Sequence, residues 1–144
     1  MGKCRIVLIE DNAADVFLVK LAMRRNEIDC ELIIFPNGEA AAEALLAEPA
    51  SMGYEPAPNV ILLDMNTPKS DGFEVLDKFR NAANLAHTAI AIITSSQARS
   101  DLNHIKSLAG IRYIQKHSQL NDFLDTVGRA IKEMLGESAQ PRPQ

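Results

Sequence analysis

Two carboxylates stand side by side at Glu10 and Asp11, just past the apolar run Arg5 to Ile9, and a third, Asp64, closes the run Val60 to Leu63. Like charges gathered in one crevice repel and raise one another's pKa unless a cation joins them, so these three ask for a divalent metal if the fold brings them together. Oxygen-only ligands point to Mg²⁺, with Mn²⁺ able to substitute. Two more apolar runs end in complementary groups. Ile90 to Ile93 leads into Thr94, Ser95 and Ser96, and Ile111 to Ile114 leads into Lys116. A carboxylate nucleophile, a metal, an ammonium and a hydroxyl together suit a phosphoryl group. Taken singly, a threonine at a strand end serves a turn and a terminal lysine meets solvent. Their force comes from ending successive strands.

The elements that would position these groups follow from the hydrophobic pattern. Arg5 to Ile9, Glu31 to Phe35, Val60 to Leu63, Ile90 to Ile93 and Ile111 to Ile114 read as five strands, most of them nearly unbroken Ile, Val, Leu or Ala, as strands covered on both faces are. Helical spacing lies between and after them. Ala14, Phe17, Leu18, Leu21 and Ala22 form one stripe, and Leu120, Phe123, Leu124, Val127 and Ile131 another. Phe73, Leu76 and Phe79 mark a third helix, and Leu102, Ile105, Leu108 and Ala109 a fourth that stops at Gly110. Glu39 to Glu48 is Ala-rich and helix-prone. Strand and helix thus alternate five times, and right-handed crossovers predict a flavodoxin-like, doubly wound α/β fold: a five-stranded parallel sheet, order 2-1-3-4-5, with five helices. Ligands bind such sheets beyond the strand carboxyl ends, where the order reverses between strands one and three. Glu10, Asp11 and Asp64 end those two strands.

A chain of 144 residues, 47% hydrophobic and 24% charged, fits one domain able to bury its own core. Residues 3–136 are expected to form it, with 137–144 a polar tail, and the Pro-rich stretch from Pro49 to Pro58 reads as a loop. Cys4 and Cys30 are too few for a stapled scaffold, and both read as reduced thiols in apolar runs, which fits a cytoplasmic protein. No apolar stretch reaches the length of a membrane span, and none has the core of a signal peptide. Residues 1–72 carry 12 acidic and 6 basic side chains and residues 73–144 carry 7 and 9, with no basic run, so no nucleic-acid footprint is visible.

These residues resemble the receiver domains of two-component response regulators. VLIEDNAADVFLV has the acidic pair after the first strand, LLDMNTPKSDG looks like the phosphoacceptor strand and loop, IITSS carries the hydroxyl residue and YIQK the lysine. The resemblance implies that Asp64 is phosphorylated by a sensor histidine kinase, with Asp11 and Asp64 binding Mg²⁺ directly and Glu10 acting through water. It further implies that Asn66 offers its backbone carbonyl to the metal, that Thr94 and Lys116 hold the phosphoryl oxygens, and that Tyr113 is a rotating aromatic switch. The resemblance also implies a phosphoacceptor switch with self-catalysed phosphotransfer and slow acyl-phosphate hydrolysis rather than an enzyme. Its effect would pass to a downstream protein through the face formed by the segment from Asp101 to Ala130.

EDNAADV, DMNTPKSDG, the Ser pair after Thr94 and KHSQL also look like the small regulators that serve bacterial phytochromes, which implies a phytochrome kinase and a homodimer. One position departs from the common pattern: His117 follows Lys116 where most receivers have proline, so the Lys116–His117 peptide is expected to be trans. Other functions fit less well. A phosphatase with an Asp-x-Asp motif would need an acid where Asn66 stands, and a flavin-binding flavodoxin would not place Glu10 and Asp11 against a phosphate. A pseudo-receiver acting only as a phosphorylation-independent binding module is the alternative, and the complete set of Asp11, Asp64, Thr94 and Lys116 argues against it.

Overall fold

The computed structural model describes residues 4–46, 57–65, 72–94, 103, 106–116 and 119–137. Five strands, β1 (Arg5–Ile9), β2 (Glu31–Phe35), β3 (Val60–Asp64), β4 (Ala89–Thr94) and β5 (Ile111–Gln115), form one parallel sheet in the order β2-β1-β3-β4-β5. Among the described residues, the helices are α1 (Ala13–Arg25), α2 (Gly38–Leu46), α3 (Gly72–Arg80) and α4 (Leu120–Glu137), with a 3-10 turn at Ala83–Leu85. The expected helix from Leu102 to Ala109 falls largely outside the described residues, though Asn103 and Lys106 are helical and the Ser107 N–H donates to the Asn103 carbonyl at 3.1 Å. Gly110 ends this segment at φ 77°, a left-handed conformation that suits glycine.

Alternation along the strands divides the core into two layers. Ile6, Leu8, Val60, Leu62, Ala91 and Ile93 face α1 and α4, where Ala22, Phe123, Val127 and Ile131 meet them. Val7, Ile9, Ile61, Leu63, Ile90 and Ile92 face the other way, onto Ala41 and Leu45 of α2 and Leu76 and Phe79 of α3. β3 and β4 are buried along their whole length because both sheet faces are covered. The edge strands β2 and β5 are more exposed. Gly128 lets α4 approach α1, because a Cβ there would collide with the Asn26 side chain. No helix among the described residues is long and apolar enough to cross a membrane.

Two expectations need correction. Cys4 and Cys30 are joined as a disulfide rather than being reduced thiols. They precede two hydrogen-bonded strands, with the Glu31 N–H donating to the Cys4 carbonyl at 2.8 Å, and parallel pairing brings their Cα atoms to 4.8 Å despite 26 residues of separation. In α1 the buried face is Val19, Ala22 and Met23, while Phe17, expected in the core stripe, is 60% exposed. Val16, Val19 and Met23 form a second stripe beside the first, and the sheet takes residues of both, Ala22 among them.

Candidate functional site

The site is built where β1 and β3 end side by side. The register pairs Ile9 with Leu63, so Glu10 and Asp64 each follow by one residue on neighbouring strands. Past the last β1–β2 pair, the Glu10 N–H donates to the Phe35 carbonyl at 2.9 Å, and past β3 the Met65 N–H donates to the Ile93 carbonyl at 3.1 Å. These bonds hold both acids rigidly at the rim. Both are buried, Glu10 at 5% and Asp64 at 2% exposure.

The remaining polar groups arrive from the other strands and from α1. Thr94 is buried at the end of β4, and its carbonyl accepts from the Lys116 N–H at 2.9 Å. The Lys116 side chain crosses to the β1–β3 rim, where its ammonium donates to Asp64 Oδ2 at 2.8 Å, Asp15 Oδ2 at 3.0 Å and Glu10 Oε1 at 3.5 Å. Asn12 caps α1, its Oδ1 accepting from the Asp15 N–H at 3.1 Å, and its own N–H donates to Glu10 Oε2 at 3.3 Å.

Electrostatics follow from this crowding. Burial, a hydrogen bond to Asp64 and the charge of Asp64 raise the Glu10 pKa to about 8, against the opposing pull of Lys116 and the Asn12 N–H. Burial alone would lower the Lys116 pKa, but hydrogen bonds to Asp64 and Asp15 and the charges of Asp64 and Glu10 outweigh it and hold the ammonium charged. A buried carboxyl whose pKa is pushed up beside a second carboxylate marks a donor set that suits a hard divalent cation. One carboxylate oxygen from each of Glu10, Asp15 and Asp64 lies within 4.8 Å of the others.

Of the sequence-predicted site, the structure brings together Glu10, Asp64 and Lys116, with Thr94 on the adjoining strand end. Asp11 is exposed beside them and is not a member of that carboxylate group. Asn66, Ser95, Ser96 and His117, with its peptide bond to Lys116, lie outside the described residues, as does most of the Pro49–Pro58 loop. Tyr113 sits on β5, packed against the α2–α3 layer, its hydroxyl buried with no hydrogen-bond partner among the described residues. Burial pushes its phenol pKa up. Sequence reasoning missed Asp15. Its one signal was the spacing of EDNAAD, which puts an acid in the first turn of α1, where complementing the helix dipole is the ordinary reading.

The chain is similar to proteins already known. The family profile described as "Response regulator receiver domain" matches residues 6–128. The response regulator Rcp1 of Synechocystis sp. is 36% identical over 122 residues, covering 85% of this chain and 82% of that protein. The crystal structure of the Mn²⁺-bound form of Rcp1 superposes with a TM-score of 0.78 at 32% identity, over 99% of this chain and 100% of that one. The phosphorylated cyanobacterial phytochrome response regulator RcpA superposes with a TM-score of 0.80 at 29% identity, again over 99% and 100% of the two chains.

Proposed function

This chain belongs to the response regulator receiver family, and from that membership we propose that Asp64 accepts a phosphoryl group from a sensor histidine kinase. The observation that carries the reading is the Lys116 ammonium on Asp64 Oδ2 at 2.8 Å, on a buried carboxylate flanked by Glu10. An Asp64 oxygen attacks the phosphorus, a new P–O bond forms, and the bond to the kinase phosphohistidine nitrogen breaks, leaving neutral histidine once that nitrogen is protonated. Lys116 neutralises one phosphoryl oxygen, and the Thr94 hydroxyl donates to another. Asp11 and Asp64 would hold Mg²⁺, or Mn²⁺ in its place, directly, with Glu10 acting through water and Asn66 through its carbonyl, and the bound ion would supply neutralisation of phosphoryl charge. The burial of Glu10 against Asp64, which raises the Glu10 pKa, supports the place of these two acids in that set. The same groups serve slow hydrolysis of the acyl phosphate, which resets the switch.

Output passes through Tyr113. Its hydroxyl is buried, and its ring can take a second position once Thr94 turns toward the phosphoryl group. The partners are a sensor kinase, a bacterial phytochrome by likeness to RcpA, a downstream protein, and a second copy of the chain in a homodimer. Incubation with Mg²⁺ and acetyl phosphate, followed by intact mass measurement, tests the assignment. One phosphoryl group is expected on the wild type and none on Asp64→Asn. Undiminished labelling of that variant refutes the role of Asp64.

A further inference from the structure

An ammonium has three N–H donors, and that of Lys116 lies within 3.5 Å of three acidic side chains. Two of the acceptors, Glu10 and Asp64, belong to the groups proposed above for the cation and the phosphoryl group. The third does not. Asp15 projects from the first turn of α1, 101 residues away in sequence, and reaches Lys116 at 3.0 Å. Its placement is fixed from both sides of the cap: its N–H is bound to Asn12 Oδ1, and the Val16 N–H to the Asn12 carbonyl at 3.0 Å.

At the other end, the Lys116 N–H donates to the Thr94 carbonyl, and the next residue in the sequence is His117 rather than proline. A long side chain with four rotatable bonds needs a partner to stay on one course. Glu10 and Asp64 provide that only while their charge is not engaged elsewhere.

We propose that Asp15 is a positioning residue that tethers the Lys116 ammonium from α1, so that the lysine stays over Asp64 when the Glu10 and Asp64 charges are taken up by the cation and the incoming phosphoryl group. The proposal rests on the reading of Asp64 as phosphoacceptor. It separates Asp15 from the metal ligands, although its carboxylate lies close enough to Glu10 and Asp64 to be one.

The test compares wild type, Asp15→Asn, Asp15→Glu, Lys116→Ala and the double variant Asp15→Asn/Lys116→Ala, each checked for a native circular dichroism spectrum. Two quantities are measured: the phosphorylation rate with acetyl phosphate at saturating Mg²⁺, and the Mg²⁺ dissociation constant by calorimetry. Loss of one half-exposed, charge-assisted contact should slow Asp15→Asn by roughly five-fold while its Mg²⁺ affinity stays within about two-fold of wild type. Asp15→Glu should recover part of the rate, and Asp15→Asn should add no further slowing in the Lys116→Ala background. An Asp15→Asn rate equal to wild type overturns the tether, as does equal slowing in both backgrounds. A loss of Mg²⁺ affinity in Asp15→Asn overturns it in favour of a metal-ligand role. If wild type takes up no phosphoryl group, or Asp64→Asn takes it up, the phosphoacceptor reading itself falls, and the tether falls with it.

Discussion

Glu10 gives the sharpest quantitative test of the site, because the structure assigns it a pKa far from that of a free carboxyl. Burial, reinforced by the hydrogen bond and charge of Asp64, raises it from 4.5 to about 8. Between those values the folded chain binds a proton that the unfolded chain has released, so stability falls as pH rises through the window, with the full cost present above the folded pKa. At about 1.4 kcal/mol per pH unit the whole penalty is on the order of 5 kcal/mol, and about 3 kcal/mol of it falls between about pH 5.5 and about pH 8.5. Glu10→Gln removes the titration while keeping a neutral group of the same shape.

Urea unfolding of both proteins in the presence of EDTA, at those two pH values, compares the interacting Glu10–Asp64 pair with a variant that has lost one of its two carboxyls. Wild type should lose about 3 kcal/mol more than Glu10→Gln on going to the higher pH. Saturating Mg²⁺ should flatten the wild-type profile, since a cation that binds only the folded site stabilises it most where the carboxyls are charged. Parallel profiles for the two proteins in EDTA would refute the electrostatic account of the site.

Four other outcomes are expected. Gly128→Ala puts a methyl group where the Asn26 side chain packs between α1 and α4, and should lower stability by about 1–3 kcal/mol in urea unfolding. Cys30→Ser removes a link that closes a loop of 26 residues, and should lower stability by about 2–4 kcal/mol, an effect that reductant reproduces in wild type. Thr94→Ala should still gain a phosphoryl group by mass, yet show a smaller phosphorylation-dependent change in sedimentation and kinase affinity than wild type; Tyr113→Ala should lose that change without losing the label.

The architecture was legible because its signals are local and repeated. Each strand run found its place: β1 and β2 span the expected residues, and β3, β4 and β5 extend the expected runs by one or two. Alternation and crossover handedness imply a parallel sheet covered on both faces, without side-chain detail, and the order 2-1-3-4-5 expected of a flavodoxin-like fold is the one observed. Helix faces were less legible. Phe17 and Leu120 fit their stripes by spacing, yet one is 60% and the other 51% exposed, because α1 carries two overlapping apolar stripes and Leu120 stands at the first position of α4, where the helix has only begun to meet the core. Spacing counts candidates for burial, and the neighbouring element chooses among them.

The same distinction governs the site. Glu10, Asp64, Thr94 and Lys116 could be found in the sequence because each ends a strand, and parallel strands deliver their carboxyl ends to one rim whatever the loops do. Asp15 and the cysteine pair depend on distances that only the folded chain sets. Asp15 reaches the rim because Asn12 caps α1 at an angle that turns its first turn toward Lys116, and Cys4 meets Cys30 because β1 and β2 begin in register. Lys116 joins the two kinds of information: strand order puts it on the rim, and α1 supplies the third of its carboxylate contacts. A change that shifted α1 along the sheet would therefore leave the four strand-end groups in place and still alter how the lysine is aimed.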